Sequence, residues 1–195
     1  GEGCLNVALR SELLGGNYIS LFAGGAGLDV ALRIAAPAAR CVCYVERERE
    51  AAEVLAARIK EGRIDEAPIW SDARSFPSGL FRGRVDGIVG GFPCQDISVA
   101  GRGAGLEGKR SGLFFEIVRL IKEIKPKFIF LETVPNIRSK GLGRVLKEMD
   151  ALGYDCRWCV ISAASVGANH KRERWFLLAY ANGSWELQPQ GRVKA

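Results

Sequence analysis

Tyr18-Ile19-Ser20-Leu21-Phe22-Ala23-Gly24-Gly25-Ala26-Gly27-Leu28 is the stretch that decides the fold. A short apolar run, Tyr18–Phe22, enters a glycine-rich turn, and a helical pattern opens at Leu28 and continues to Ile34. A strand that feeds a helix through a tight turn is the first unit of an alternating α/β chain. The glycines let the backbone turn sharply and come close to a ligand, and the helix N-terminus beyond them favours an anionic group. The spacing is not the G-x-G-x-x-G of a dinucleotide site, so an ordinary strand–helix turn remains open at this point.

Outward from that unit the alternation continues. Cys41–Val45 reads as a strand and Arg49–Lys60 as a helix; Ile69–Trp70 is a short third strand and Val85–Val89 a fourth, ending in Gly90-Gly91. Leu113–Ile124 carries an apolar face at helical spacing, Phe128–Leu131 is a fifth strand, and Val145–Leu152 is a helix stopped by Gly153. Val160–Ala164 and Trp175–Tyr180 complete the series. The expected class is α/β, a mostly parallel sheet with helices on both faces, whose ligands sit at the carboxyl ends of the strands. Neither a repeat nor a linker divides the chain, so one domain is expected over residues 18–180, with tails at 1–17 and 181–195.

The 195 residues fit one such domain, and 48% apolar residues suffice for a buried core. Lys and Arg number 28 against 22 Asp and Glu, a formal net charge of +6 that suits a polyanion without identifying one. With no apolar run near membrane-spanning length and no signal-peptide pattern, a soluble, cytoplasmic chain without membrane contact is expected. The pairs Cys41/Cys43 and Cys156/Cys159 have the count of a four-thiolate zinc site. Both lie in strand-like apolar runs rather than turns, and cysteine is commonly a buried apolar residue, so core thiols and no metal are expected.

Acids stand at successive strand ends beside the glycine turn. Glu46 follows the second strand, placed to accept from ribose hydroxyls, and Asp72 follows the third, placed to accept from an adenine amino group. Either acid alone reads equally as a solvated charge. Together with the glycine turn they favour an adenosine-bearing cofactor.

The fourth strand runs into Gly90-Gly91-Phe92-Pro93-Cys94-Gln95. Cys94 leaves the sheet at its ligand-binding edge behind a stiff proline, as a nucleophile would, though a buried strand-end thiol has the same sequence. Residues 95–112 carry five glycines, at 101, 103, 105, 108 and 112, with Arg102, Lys109 and Arg110 among them, and read as a cationic lid or a long loop. The fifth strand ends in Glu132-Thr133-Val134, where a carboxyl group would face Cys94. Arg172 and Arg174 share one face of an extended segment before the last strand.

These segments, in this order, resemble the cytosine-C5 DNA methyltransferase family. Phe22–Gly27 matches its S-adenosylmethionine loop, Gly91-Phe92-Pro93-Cys94-Gln95 its nucleophile motif, Glu132-Thr133-Val134 its Glu-Asn-Val motif and His170–Arg174 its Gln-x-Arg-x-Arg motif. The resemblance spans roughly residues 18–180 and implies a Rossmann-like S-adenosylmethionine-dependent methyltransferase fold. It assigns Cys94 to attack on cytosine C6, Glu132 to N3 and the exocyclic amine, Arg174 to O2 and Arg172 to support of the cleft. Phe22, Ala23, Gly24, Gly25, Gly27, Leu28, Glu46, Asp72 and Pro93 are assigned to the cofactor. Double-stranded DNA is the implied substrate, its base flipped out for reaction, in a bacterial or phage-encoded modification system.

Two substitutions depart from the pattern, Thr133 for Asn and His170 for Gln. The family's target-recognition region, late Arg-Gln-x-Gly-Asn motif and closing helix are not found in these residues, so a second polypeptide carrying target recognition is an expected partner. Two rivals follow: a tRNA-cytosine methyltransferase of the same chemistry, and a non-catalytic or split-enzyme subunit.

Overall fold

A computed structural model of the chain describes residues 14–92 and 112–182. Seven strands form one sheet in the order β3-β2-β1-β4-β5-β7-β6. In chain order they are β1 (Gly16–Leu21), β2 (Ala39–Val45), β3 (Ile69–Trp70), β4 (Gly87–Gly91), β5 (Phe128–Thr133), β6 (Tyr154–Ser162) and β7 (Glu173–Ala181). The first five pair in parallel, and β7 is antiparallel to both β5 and β6. The helices are α1 (Gly27–Ala35), α2 (Arg49–Lys60), α3 (Gly112–Ile124), α4 (Ile137–Lys140) and α5 (Leu142–Ala151). Strand order runs outward one way from β1 to β3 and the other way from β4 onward. The reversal between β1 and β4 opens a crevice at their carboxyl ends.

Two cores cover the sheet. On one face Ile19, Leu21, Ile88 and Ile129 pack beneath α3 and α5; on the other Tyr18, Tyr44, Val89 and Phe128 pack with Leu32 of α1 and Leu55 of α2. The helical period of α3 aligns Phe114, Ile117, Leu120, Ile121 and Ile124 on its buried face. Each such side chain contributes at most about 1.5–3 kcal/mol of burial.

An extra residue in β2 shapes the first core. Tyr18 pairs with Cys41 and Ile19 with Cys43, so Val42 is skipped in the register. The bulge cancels the usual i, i+2 alternation. Cys41 therefore enters the α1–α2 core and Cys43 the α3–α5 core, which a shared zinc ion could not bridge. Burial pushes both thiols upward in pKa, Cys43 to about 11.

The main departure from the sequence reading is β6. It begins at Tyr154, six residues before the expected Val160, and ends at Ser162. Ala163 and Ala164, expected to be extended, start a single 3₁₀ turn that Ser162 caps by accepting from the Ser165 N–H at 3.1 Å. At the sheet edge, with Asp155 and Arg157 in its sequence and Trp158 42% exposed, β6 lacks a continuous apolar signal. No helix among the described residues is long and apolar enough to cross a membrane.

Candidate active site

The turn after β1 is held by backbone and by one buried acid. Phe22, Gly24 and Ala26 adopt left-handed conformations, φ 52°, 51° and 57°. Glycine takes that region at no cost, whereas Phe22 and Ala26 persist there because the surroundings over-determine them. Those surroundings include the Ala23 N–H donating to the Val45 carbonyl at 3.3 Å and the Gly24 N–H donating to Glu46 Oε2 at 2.8 Å. Glu46 is only 8% exposed, and its Oε1 accepts from the Glu48 N–H at 2.8 Å. Each carboxylate oxygen retains capacity for a second donor.

Helix α1 starts at Gly27 with no side-chain cap, so its first N–H groups face the turn. A Cβ built at Gly25 or Gly27 would meet no protein atom within 4 Å. Packing does not demand glycine at either position, yet both border a cleft of about 520 Å³. Bare backbone facing open space leaves room for a ligand, and the fit to an adenosylated cofactor rests on it.

The other wall of the cleft belongs to β4, β5 and the entry to β7: Gly91, Glu132 and Arg172 face the loop residues Phe22, Ala23 and Leu28 across it. Antiparallel pairing sets Glu132 opposite Phe176, so Arg174 lies diagonally from Glu132 on the same side of the sheet. Its Nε donates to Glu132 Oε1 at 2.6 Å, with 27% and 23% of the two side chains exposed. Burial raises the Glu132 pKa above the usual carboxylate value, against the opposing pull of Arg174 and then Arg172. Desolvation outweighs two nearby guanidinium groups, so this carboxyl holds a proton more readily than a solvated one. Gly91 leaves room for it: a Cβ there would stand 3.1 Å from Glu132 Oε2.

Thr133 ties these strands together. It is 2% exposed, and its hydroxyl donates to the Phe92 carbonyl at 2.6 Å, while the Phe92 N–H donates to the Glu132 carbonyl at 3.1 Å. Phe92, packed on Phe114 at 5.5 Å between ring centroids, is thus held through its N–H, carbonyl and ring at the threshold of Pro93-Cys94. Pro93, Cys94 and the glycine-rich run to residue 111 lie outside the described residues. His170 is exposed, and its Nδ1 accepts from the Arg172 N–H at 3.4 Å.

Asp72 stands at the end of β3, apart from the cleft lining, with Oδ1 accepting from the Arg74 N–H at 2.9 Å. Glu46 stands behind the glycine loop as its tether. The sequence reading missed Asp29, which is 3% exposed in the first turn of α1 and accepts from Tyr18 at 3.1 Å and Ser20 at 2.9 Å. Burial raises its pKa, the two hydroxyl donors opposing. An acid in a first helical turn reads as an ordinary dipole partner; only the fold shows that it is enclosed. Among the described residues no group of three or more His, Cys, Asp or Glu side chains is placed to hold a metal ion.

The family model for C-5 cytosine-specific DNA methylases matches residues 16–193. The Type II methyltransferase M.CviJI of Paramecium bursaria Chlorella virus IL3A is 39% identical over 163 residues, 83% of this chain and 42% of its own length. The Type II methyltransferase M.HhaI of Haemophilus parahaemolyticus is 34% identical over 176 residues, 88% of this chain and 51% of its own. Among solved structures, the S. pombe Dnmt2 methyltransferase superposes with a TM-score of 0.70 at 19% identity, over 91% of this chain and 53% of that one, a likeness of fold. The chain therefore spans about half the length of the curated relatives it matches. With the sheet, the glycine cradle and the Glu132–Arg174 pair in the order the motifs require, the chain belongs to the C-5 cytosine-specific DNA methylase family.

Proposed function

We propose that this chain carries the catalytic machinery of a DNA cytosine-C5 methyltransferase. The observation that supports this most is the cleft, which joins the open glycine cradle of β1–α1 to a desolvated, guanidinium-paired Glu132. Phe22, Ala23, Gly24, Gly25, Gly27 and Leu28 would hold S-adenosylmethionine. Glu46 would accept from the ribose hydroxyls with its remaining lone pairs, Asp72 would accept from the adenine amino group, and Pro93 would border the methyl-bearing end. When bound, the cofactor supplies an electrophilic methyl group to C5.

The remaining chemistry belongs to the protein. The Cys94 thiolate adds to C6 of a flipped cytosine, and the displaced electron pair makes C5 nucleophilic. Glu132, inclined by burial to hold a proton, donates to N3 as C6 is attacked. Arg174 holds O2 and orients Glu132, and Arg172 keeps the cleft cationic. After C5 is methylated, a base removes the C5 proton and the returning electron pair expels Cys94. Target choice is assigned to the share of the relatives that this chain does not span, on the same or a second polypeptide.

The test is trapping on duplex DNA containing 5-fluorocytosine, in which the final proton loss is blocked, with 5-fluorocytosine tRNA in parallel. A covalent complex on DNA that disappears with Cys94→Ala is expected. A complex that survives Cys94→Ala, or forms on tRNA alone, overturns the reading.

A further inference from the structure

Asp72 is carried by the weakest strand of the sheet. β3 is two residues long, lies at the sheet edge and pairs with β2 only at Tyr44–Ile69 and Val45–Trp70. So short a strand fixes little of the following turn by its own ladder, and buried Ala73 and Phe76 seat that turn against the core. The turn has local bonds: the Ser75 N–H and hydroxyl donate to the Asp72 carbonyl at 3.1 and 3.2 Å, and Trp70 Nε1 donates to Ser75 Oγ at 3.2 Å. These shape the turn but do not attach it to the body of the protein.

Arg119, in the middle of α3, adds a polar attachment to that packing. Its Nη2 donates to the carbonyl of buried Ala73, the residue after Asp72, at 2.8 Å. Its Nε meets Glu116 and its Nη1 meets Glu123, each at 2.8 Å, one turn to either side on the same helix. Glu123 also accepts from the hydroxyl of buried Ser78, the first residue of the 3₁₀ turn Ser78–Phe81. Two carboxylates thus fix the guanidinium plane and leave one N–H aimed at the backbone beside Asp72. The planar fork suits this task; a lysine ammonium, a single point charge, cannot span the carbonyl and both acids.

We propose that Arg119 is a positioning residue for the cofactor site: by clamping the Ala73 carbonyl to α3 it sets where Asp72 stands, and so the affinity for the adenosine part of S-adenosylmethionine. This rests on the cofactor reading above, but concerns a side chain outside every motif that led to it.

The experiment is a double-mutant cycle on the whole chain, read by calorimetric titration with S-adenosylmethionine. Arg119→Lys is expected to weaken binding about tenfold, the effect of losing one charge-assisted hydrogen bond. In an Asp72→Ala background the same change should cost less than about twofold, because the groups act in series. Turnover at saturating cofactor should change far less than KM for the cofactor. If Arg119→Lys fails to fold, Glu116→Gln takes its place in the cycle; it frees Nε and should give a smaller loss with the same non-additivity. An equal loss in both backgrounds, or no loss with wild-type Asp72, overturns the proposal. No loss from Asp72→Ala alone also overturns it, while absence of binding by the wild-type chain defeats the cofactor reading itself.

Discussion

Glu46 and Glu132 end two strands of one sheet and are held in opposite ways. Glu46 accepts from two backbone N–H groups, one of them in the glycine turn, so moving it means moving main chain. Glu132 is paired with an arginine side chain beside open space, and its burial favours the protonated form. Backbone partners make a rigid acceptor that shapes the glycine turn; a side-chain partner leaves an acid whose proton affinity is set by its burial. On the proposed function, the β1–β3 half would hold the ligand still and the β4–β7 half would change charge state during the reaction.

The comparison breaks most visibly at Glu132. Glu132→Gln should cut tritium transfer from labelled cofactor to DNA by about 10²–10⁴-fold, the usual worth of a positioned acid, while leaving cofactor affinity within about twofold. Equal losses in both would mean that the halves are not divided in this way. The reverse pattern is expected for Glu46→Ala. Calorimetry should show cofactor binding weakened by about 1–3 kcal/mol, because the Gly24 N–H loses its partner as well as the ligand, and saturating cofactor should restore most of the turnover. Turnover that stays low would place Glu46 in the chemistry.

A smaller effect sharpens the contrast. Gly91→Ala puts a methyl group 3.1 Å from Glu132 Oε2, which must shift by a few tenths of an ångström. Turnover should fall by about fivefold, as for a mild overpacking cost near 1 kcal/mol; an unchanged rate would show that Glu132 adjusts freely. The smallest effect is on stability. A carboxyl whose pKa is raised by folding contributes stability that is present below its unfolded value and is lost as pH rises through its folded value. Thermal unfolding should therefore show Glu132→Gln gaining on the wild type as pH rises from 4 to 7. A gain in the opposite direction would mean that Arg174 outweighs desolvation.

Most of the fold is legible because its signals are local. The helix Arg49–Lys60 is found with the bounds the spacing predicts, and Tyr18–Phe22 differs from β1 only at its ends. The sequence signal for β6 starts late because an edge strand with one wet face mixes Asp155 and Arg157 into its apolar run. At the site, the shared face of Arg172 and Arg174 is legible from parity, whereas the pairing of Arg174 with Glu132 comes from the β5–β7 register. The roles of Asp29, Thr133 and Arg119 were hidden for another reason. Each acts through a contact 9 to 46 residues away in sequence, on a helix face or strand end whose partner only the packing reveals.

The skipped residue in β2 makes Cys41 and Cys43 a pair of unfolding probes only two positions apart. Because Val42 bulges, one thiol is sealed under α1 and α2 and the other under α3 and α5, each less than 5% exposed. A fluctuation that lifts one helical layer uncovers one sulfur and spares its neighbour. In chains that keep one of the two cysteines at a time, the rates of thiol alkylation in mild denaturant would time the opening of each layer separately. Whether the α1–α2 layer loosens before the α3–α5 layer then becomes a question of which cysteine is labelled first.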